Sequence, residues 1–309
     1  MKLISIVTPC YNEEGNIKEV YCQVKEVFSK LKAYKYEHIF IDNVSKDKTL
    51  SILKNIANKD RNVKIIVNAK NFGVLRSGNH ALLQAQGDAV ITMVADLQDP
   101  PWMIENFIKK WEDGYKIVVG IKKKSEENVL MFQARKLYYS FVSRIAETEH
   151  IKNFTGFGLY DKSFINILRG LNDPYPYFRG LVSELGYERF EIKYEQPVRK
   201  RGKTNNNIYV LFDTAMLGLT NHSKVPLRLA TMTGFFVASL CLLTALGYFI
   251  YKLAFWNSFS VGMAPLVIGL FFFASIQLFF LGIIGEYIGS IHTRILNRPL
   301  VIEKERINF

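Results

Sequence analysis

Residues 229–251 and 253–285 contain no charged side chain. Each run exceeds the roughly 20 residues that an α-helix needs to cross bilayer hydrocarbon, and uncharged stretches this long seldom occur in soluble domains. The pattern predicts two membrane-crossing helices; the alternative is a pair of helices buried in a core. The joining segment KLAFWNSFSVGM carries one cation, whereas Lys224 and Arg228 precede the first run and Arg294, Arg298, Lys304 and Arg306 follow the second. Basic residues at both outer ends put those ends on the cytoplasmic side. The expected layout is a multi-pass hairpin in the inner (plasma) membrane with the remainder cytosolic, and MKLISIVTPC does not read as a secretory signal.

The formal net charge of +12 fits a protein that works against anionic membrane lipids, where each Lys or Arg contributes about 1 kcal/mol near the surface. No nucleic-acid recognition motif is present, so nucleic acid is not an expected partner. Cys10, Cys22 and Cys241 have no paired spacing, as reduced thiols in the cytosol would have none. His38, His80, His150, His222 and His292 lack metal-ligand spacing.

Ahead of the apolar runs, short apolar segments alternate with helical ones. LISIVTP, HIFIDN, VKIIVNA, AVITMVAD and YKIVVGI read as strands; between them Ile17, Val20, Val24, Val27, Phe28 and Leu31 recur at helical spacing. Such alternation argues an α/β fold with a mostly parallel sheet covered by helices on both faces. In open sheets of this kind ligands bind beyond the carboxyl ends of the strands. The stretch from Pro9 through Tyr11 to Glu14, Asp42, the stretch from Asn71 to Gly73, and the stretch from Asp96 to Asp99 all stand at such ends. No GxGxxG follows the first strand and no GxxxxGK[ST] occurs, which argues against a nicotinamide dehydrogenase and a P-loop enzyme.

The order and spacing of VTPCYNEEGNI, ADLQDPP, TGFGLYDKSF, PYFRGLVSELGYE and RKRGKTNNNIYVLFDTAMLGLTNHSKVPLRLA resemble the family 2, GT-A-type glycosyltransferases, and within them the membrane polyprenyl-phosphate (bactoprenol) enzymes related to dolichyl-phosphate mannose synthase. The resemblance implies a Rossmann-like GT-A domain over residues 1–205, an interfacial amphipathic segment over 206–228, two transmembrane helices over 229–285 and a cytoplasmic tail over 286–309. It implies inverting, metal-dependent transfer of a sugar, often glucose, from a UDP-sugar to polyprenyl phosphate, and an enzyme that forms tetramers. Pro9, Tyr11, Glu13, Asp42, Asn71, Gly73 and Asp96 are then expected around the nucleotide sugar, and Asp96 with Gln98 around Mg²⁺ or Mn²⁺, cations that oxygen ligands suit. Asp96, Asp161 and Arg201 are the expected catalytic residues.

Two departures accompany the resemblance. Val94 stands where relatives usually have an acid, which leaves Asp96 as the sole carboxylate of that pair; Mg²⁺ ordinarily takes only one or two. At IDNVS, Asn43 and Val44 follow Asp42 where relatives commonly show a second acid and then Gly-Ser.

A lipid monophosphate is already largely dianionic at neutral pH, so no catalytic base is required, only cations that bring two phosphates together. Lys122, Lys123 and Lys124, Arg135, and Arg199, Arg201 and Lys203 offer them. Plainer readings stand beside these: Asp96 as a turn residue, Asp99 and Asp161 as helix caps, Glu13 as a dipole-favoured acid in a first turn, the VRKRGK run as a basic patch on lipid headgroups, and residues 208–219 as a core helix. At the level of function the alternatives are a processive polysaccharide synthase, although its QxxRW pattern is missing, and a sugar-nucleotide-binding scaffold whose catalysis has decayed.

Overall fold

The computed structural model describes residues 1–123, 151–198, 201, 216, 225–255 and 263–309. The chain opens as β1 (Lys2–Cys10), α1 (Ile17–Lys30), β2 (Tyr34–Asp42), α2 (Thr49–Ala57), β3 (Val63–Asn68), α3 (Val74–Gln84), β4 (Ala89–Thr92), α4 (Met103–Glu112) and β5 (Ile117–Lys122). It continues as β6 (Phe154–Asp161), α5 (Lys162–Leu171), α6 (Phe178–Glu184) and β7 (Arg189–Tyr194). After the long helices α7 (Val225–Ala254) and α8 (Met263–Ile295), the chain closes with β8 (Glu303–Ile307).

The strands form one sheet in the order β7-β5-β6-β4-β1-β2-β3-β8. β1 pairs in parallel with β2 and β4, β2 with β3, and β5 with β7. β6 inserts antiparallel between β4 and β5, and β8 runs antiparallel along β3. The strands are apolar on both sides because both faces are covered: Ile4, Ile6, Phe40 and Ile65 meet α1 and α4 residues such as Val20, Val24, Phe28 and Phe107, while Val7, Ile39, Ile41 and Ile66 meet Ala81, Leu82, Phe164 and Leu168. The helical spacing in α1 buries Ile17, Val20, Val24 and Phe28, as the sequence predicts.

Two local differences from the sequence reading have physical causes. The strand expected over AVITMVAD stops at Thr92, because the Val94 N–H turns away from the ladder to the Asp99 carboxylate at 3.1 Å. The tail is not merely a tail. Lys54 pairs with Glu305 at 2.6 Å, Arg61 donates to Asn308 at 2.7 Å, and Arg76 donates to the Pro299 carbonyl at 2.7 Å. β8 therefore covers the β3 edge and keeps its charged side chains outward, a device that shields an exposed edge.

α8 runs without a break through Glu286 to Ile295, past residue 285, where the tail was expected to begin. Among the described residues, one helix is long and apolar enough to cross a membrane, Phe272–Ile295 with mean hydropathy 1.6; Val225–Leu240 is a shorter apolar stretch. Phe235, Leu243, Leu270, Phe279 and Leu281 are exposed on these helices, so they are not the buried core pair that the sequence left as an alternative. The amphipathic segment 208–219 lies outside the described residues apart from Met216.

Candidate active site

The carboxyl ends of β1 and β2 are laced together by short polar side chains. Beyond Pro9 and the half-buried Tyr11, the Asn12 N–H donates to Ser45 Oγ at 2.9 Å and the Lys46 N–H to Asn12 Oδ1 at 2.7 Å. The Glu13 N–H donates to Thr49 Oγ1 at 2.8 Å, and Asn16 Nδ2 to Glu13 Oε2 at 2.7 Å. Across the same gap the Glu14 N–H donates to Asp47 Oδ2 at 3.1 Å and the Lys48 N–H to Glu14 Oε2 at 2.9 Å. Asp42, fully buried at the end of β2, accepts the Ser45 N–H at 3.2 Å, and burial pushes its carboxyl above the usual range.

Beside it, Asn43 organises the third strand end. Its Oδ1 accepts from Asn68 Nδ2 at 3.0 Å, Ser77 Oγ at 3.1 Å and the Phe72 N–H at 2.9 Å, while its Nδ2 donates to Asn71 Oδ1 at 2.8 Å. Asn71 Oδ1 also accepts the Gly73 N–H at 2.9 Å. Gly73 has φ +82 and open space where a Cβ would stand, a conformation that glycine adopts at no steric cost. An amide at position 43 is thus matched to this network, because it donates and accepts at once, whereas an ionised carboxylate only accepts.

Beyond β4 the chain alternates. Asp96 and Gln98 are partly exposed, whereas Ala95, Leu97 and Asp99 are buried. The Gln98 N–H closes onto Asp96 Oδ1 at 3.1 Å, with Leu97 at φ +62. Asp99 is not the cap of α4, whose N-cap makes no side-chain bond. It is 3% exposed; its Oδ2 takes the Val94 N–H at 3.1 Å and its Oδ1 the Tyr194 hydroxyl at 3.2 Å. Burial pushes its carboxyl up to about 6, against the pull of the Val94 N–H and of Lys122. Among the described residues, no three His, Cys, Asp or Glu side chains gather as a metal cluster. Asp96 and the Gln98 amide are hard oxygen donors side by side, and this set fits a divalent ion that keeps water and phosphate oxygens as its other ligands.

Arg201 lies over the start of α1, its Nη1 donating to the Gly15 carbonyl at 2.5 Å and standing 3.9 Å from Glu19. It therefore shares the strand-end face with Glu13. Lys122 ends β5 on the same face. Lys124, Arg135, Arg199 and Lys203 lie outside the described residues.

Asp161 requires a correction. It pairs with Ala89 at the start of β4, the opposite end from Asp96. Its Oδ1 accepts the Ser163 N–H at 2.9 Å as the N-cap of α5, and its Oδ2 accepts Trp111 Nε1 at 2.7 Å. Burial alone would raise its carboxyl, but the bonds from Ser163 and Trp111 and the charge of Lys116 outweigh it and hold it low. Its role is to hold α5 and α4 to the sheet, and it belongs to no strand-end site. Conversely, Tyr194 went unread in the sequence; an aromatic residue ending a strand just before a basic run was the available signal.

The chain matches glycosyl transferase family 2 over residues 5–168. It is 33% identical over 301 residues to an uncharacterized glycosyltransferase of Synechocystis sp., covering 97% of this chain and 94% of that one. It is also 33% identical over 303 residues to the SfII prophage-derived bactoprenol glucosyl transferase of Shigella flexneri, covering 98% of this chain and 97% of that one. Its backbone is similar, at TM-score 0.49 and 17% identity over 95% of this chain and 86% of the other, to a mannosyltransferase of Pyrobaculum calidifontis solved with GDP-Man and Mn²⁺. The matched span holds the whole run of strand-end residues from Pro9 to Asp99, and relatives of about one-third identity extend over nearly the full length: the chain is a glycosyltransferase and belongs to glycosyl transferase family 2.

Proposed function

We propose that this glycosyltransferase moves a monosaccharide, glucose in the first instance, from a UDP-sugar onto polyprenyl phosphate at the cytoplasmic face of the membrane. The observation that carries the reading is the joint presence of a strand-end acid, Asp96, ringed by polar loops, and of long helices with exposed apolar side chains in one chain. The near full-length likeness to bactoprenol glucosyl transferases supports the acceptor.

In this reading an oxygen of the acceptor phosphate attacks the anomeric carbon, the bond to the diphosphate oxygen breaks, and UDP leaves from the opposite side, inverting the centre. No residue need remove a proton, since the attacking phosphate is already ionised. Asp96 and Gln98 would hold Mg²⁺ or Mn²⁺, which when bound neutralises the charge growing on the leaving diphosphate. Pro9, Tyr11, Glu13, Asp42, Asn71 and Gly73 line the nucleotide-sugar side. Lys122 and Arg201, with Arg135, Arg199 and Lys203 from the remainder of the chain, draw in the acceptor phosphate. α7 and α8 together form a two-span anchor, because a polyprenyl tail leaves the bilayer only at about 0.8 kcal/mol per methylene and the enzyme must meet it there.

A thermal-shift panel of nucleotide sugars on the purified full-length protein tests the donor half. UDP-sugars with Mn²⁺ are expected to raise Tm, and the rise should vanish with EDTA or in Asp96→Asn. A panel in which no nucleotide sugar shifts Tm, with or without metal, would contradict the reading.

A further inference from the structure

Tyr194 ends β7, yet its hydroxyl reaches Asp99 beyond β4 at 3.2 Å, although β5 and β6 lie between those two strands in the sheet. The route is built. On β5, Gly120 leaves the space that the ring uses, since a Cβ there would come within 3.1 Å of Tyr194 and 2.9 Å of Phe157. On β6, the Phe157 ring packs edge-on against Tyr194 with centroids 5.6 Å apart. The Tyr194 carbonyl takes the Lys123 N–H at 2.9 Å, which ties the end of β7 to the residue after Lys122.

The other end of the bridge is the acid turn. Asp99 holds the Val94 N–H at 3.1 Å, and two residues on, Asp96 is folded over the Gln98 N–H. Position 94 has no carboxylate, and the acid nearest in sequence after Asp96 is buried and engaged with Tyr194 and the backbone. Asp99 therefore braces the turn that presents Asp96.

We propose that Tyr194 is a positioning residue: its bond to Asp99 sets the 94–98 turn, and hence the Asp96 carboxylate, at the end of the sheet where Lys122 closes β5. Tyr194 touches neither donor nor acceptor; it acts through Asp99 and the Val94 N–H. The bond joins the end of β7 to the loop beyond β4 across the two strands between them. Its catalytic meaning rests on the function proposed above, whereas its mechanical meaning does not.

The test is Tyr194→Phe in the full-length protein, a change that keeps the ring. In EDTA, without substrate, hydrogen exchange across residues 94–98 should quicken about tenfold, the size expected for losing one hydrogen bond to a carboxylate, while β1 and β2 exchange as in the wild type. In turnover with a UDP-sugar, kcat should fall about tenfold and KM for the donor should move less than about threefold. Unchanged exchange across the turn, even with a lowered Tm, would mean that Tyr194 only packs, and would overturn the proposal. A loosened turn with unaltered kcat would overturn it equally. Should the wild type turn over no UDP-sugar, the functional reading fails, and the exchange measurement still decides whether Tyr194 holds the turn.

Discussion

Asp96 and Asp161 stand at opposite ends of β4: Asp161 pairs with Ala89, its first residue, and Asp96 follows Thr92, its last. The two acids therefore have different consequences when removed. Asp161→Ala takes away a helix cap, at about 1 kcal/mol, and leaves the Trp111 N–H without its buried acceptor, at about 1–3 kcal/mol more. Tm should fall by several degrees, on the order of 2–4 °C per kcal/mol, with kcat per folded molecule within about twofold of the wild type. A loss of kcat at unchanged Tm would return Asp161 to the site.

Asp96→Asn keeps the shape and the Oδ1 acceptor for the Gln98 N–H but removes the charge. Turnover should drop by roughly 100-fold or more, the scale seen when a group that stabilises developing charge is lost. Tm without ligand should stay put, and added Mn²⁺ should no longer stimulate. A metal titration of initial rates for both proteins checks this.

Asn43→Asp would install the acid that the family resemblance leads one to expect at this position, and it should destabilise this chain. The Asn43 amide donates to Asn71 Oδ1 at 2.8 Å; a carboxylate there would face that oxygen with no proton to offer. Losing a buried donor costs about 1–3 kcal/mol, so Tm should fall by roughly 2–12 °C. Asn43→Asp paired with Asn71→Lys should recover part of the loss, since a cation would then face the new acid. An unchanged Tm in the single variant would show that the network does not need the amide.

His38 lies fully buried on β2, with Thr8 Oγ1 3.0 Å from its Nε2, and burial holds its pKa down at about 3 against an ordinary 6.5. The folded imidazole stays neutral while the unfolded one takes up a proton below about 6.5. His38 thus contributes stability that is complete above that pH and is lost as pH falls toward 3. Asp99, raised to about 6, acts in the opposite sense between about pH 4 and 6, which makes the wild-type slope shallower there. Asp99→Asn should steepen the decline in Tm between pH 6 and 4, and His38→Gln should flatten it. Thermal melts across that window in EDTA read both slopes.

What the sequence disclosed follows from how local the causes are. Runs such as the one through Ile39, Phe40 and Ile41 are buried on both faces, so strand identity and parallel topology could be read from composition alone. The strand ends, and with them Asp42, Asn71 and Asp96, followed from that topology. Asp161 could not be read, because an acid ahead of SFINIL looks the same as a cap or as a site residue until the strand direction of β6 is known. Tyr194 offered only an aromatic residue ahead of a basic run, and its contact with Asp99, 95 residues away, was out of reach of any local pattern. β8 was hidden by its composition: EKERI has one apolar residue, and only the exposed edge of β3 makes it a strand. At position 43 the departure from the family pattern was visible, but its physical reason, a four-bond amide hub, depends on three segments meeting.

The central claim is that the strand-end site passes a sugar directly from a nucleoside diphosphate to a lipid phosphate. Purified full-length protein in mixed lipid–detergent micelles, given UDP-[¹⁴C]glucose, undecaprenyl phosphate and Mn²⁺, measures it most directly. The account predicts label moving into the organic phase as an acid-labile lipid-linked sugar, one UDP released for each sugar transferred, and neither event with Asp96→Asn. Release of UDP without lipid-linked sugar from this donor and every other nucleotide sugar tried, or transfer that survives Asp96→Asn undiminished, would contradict it.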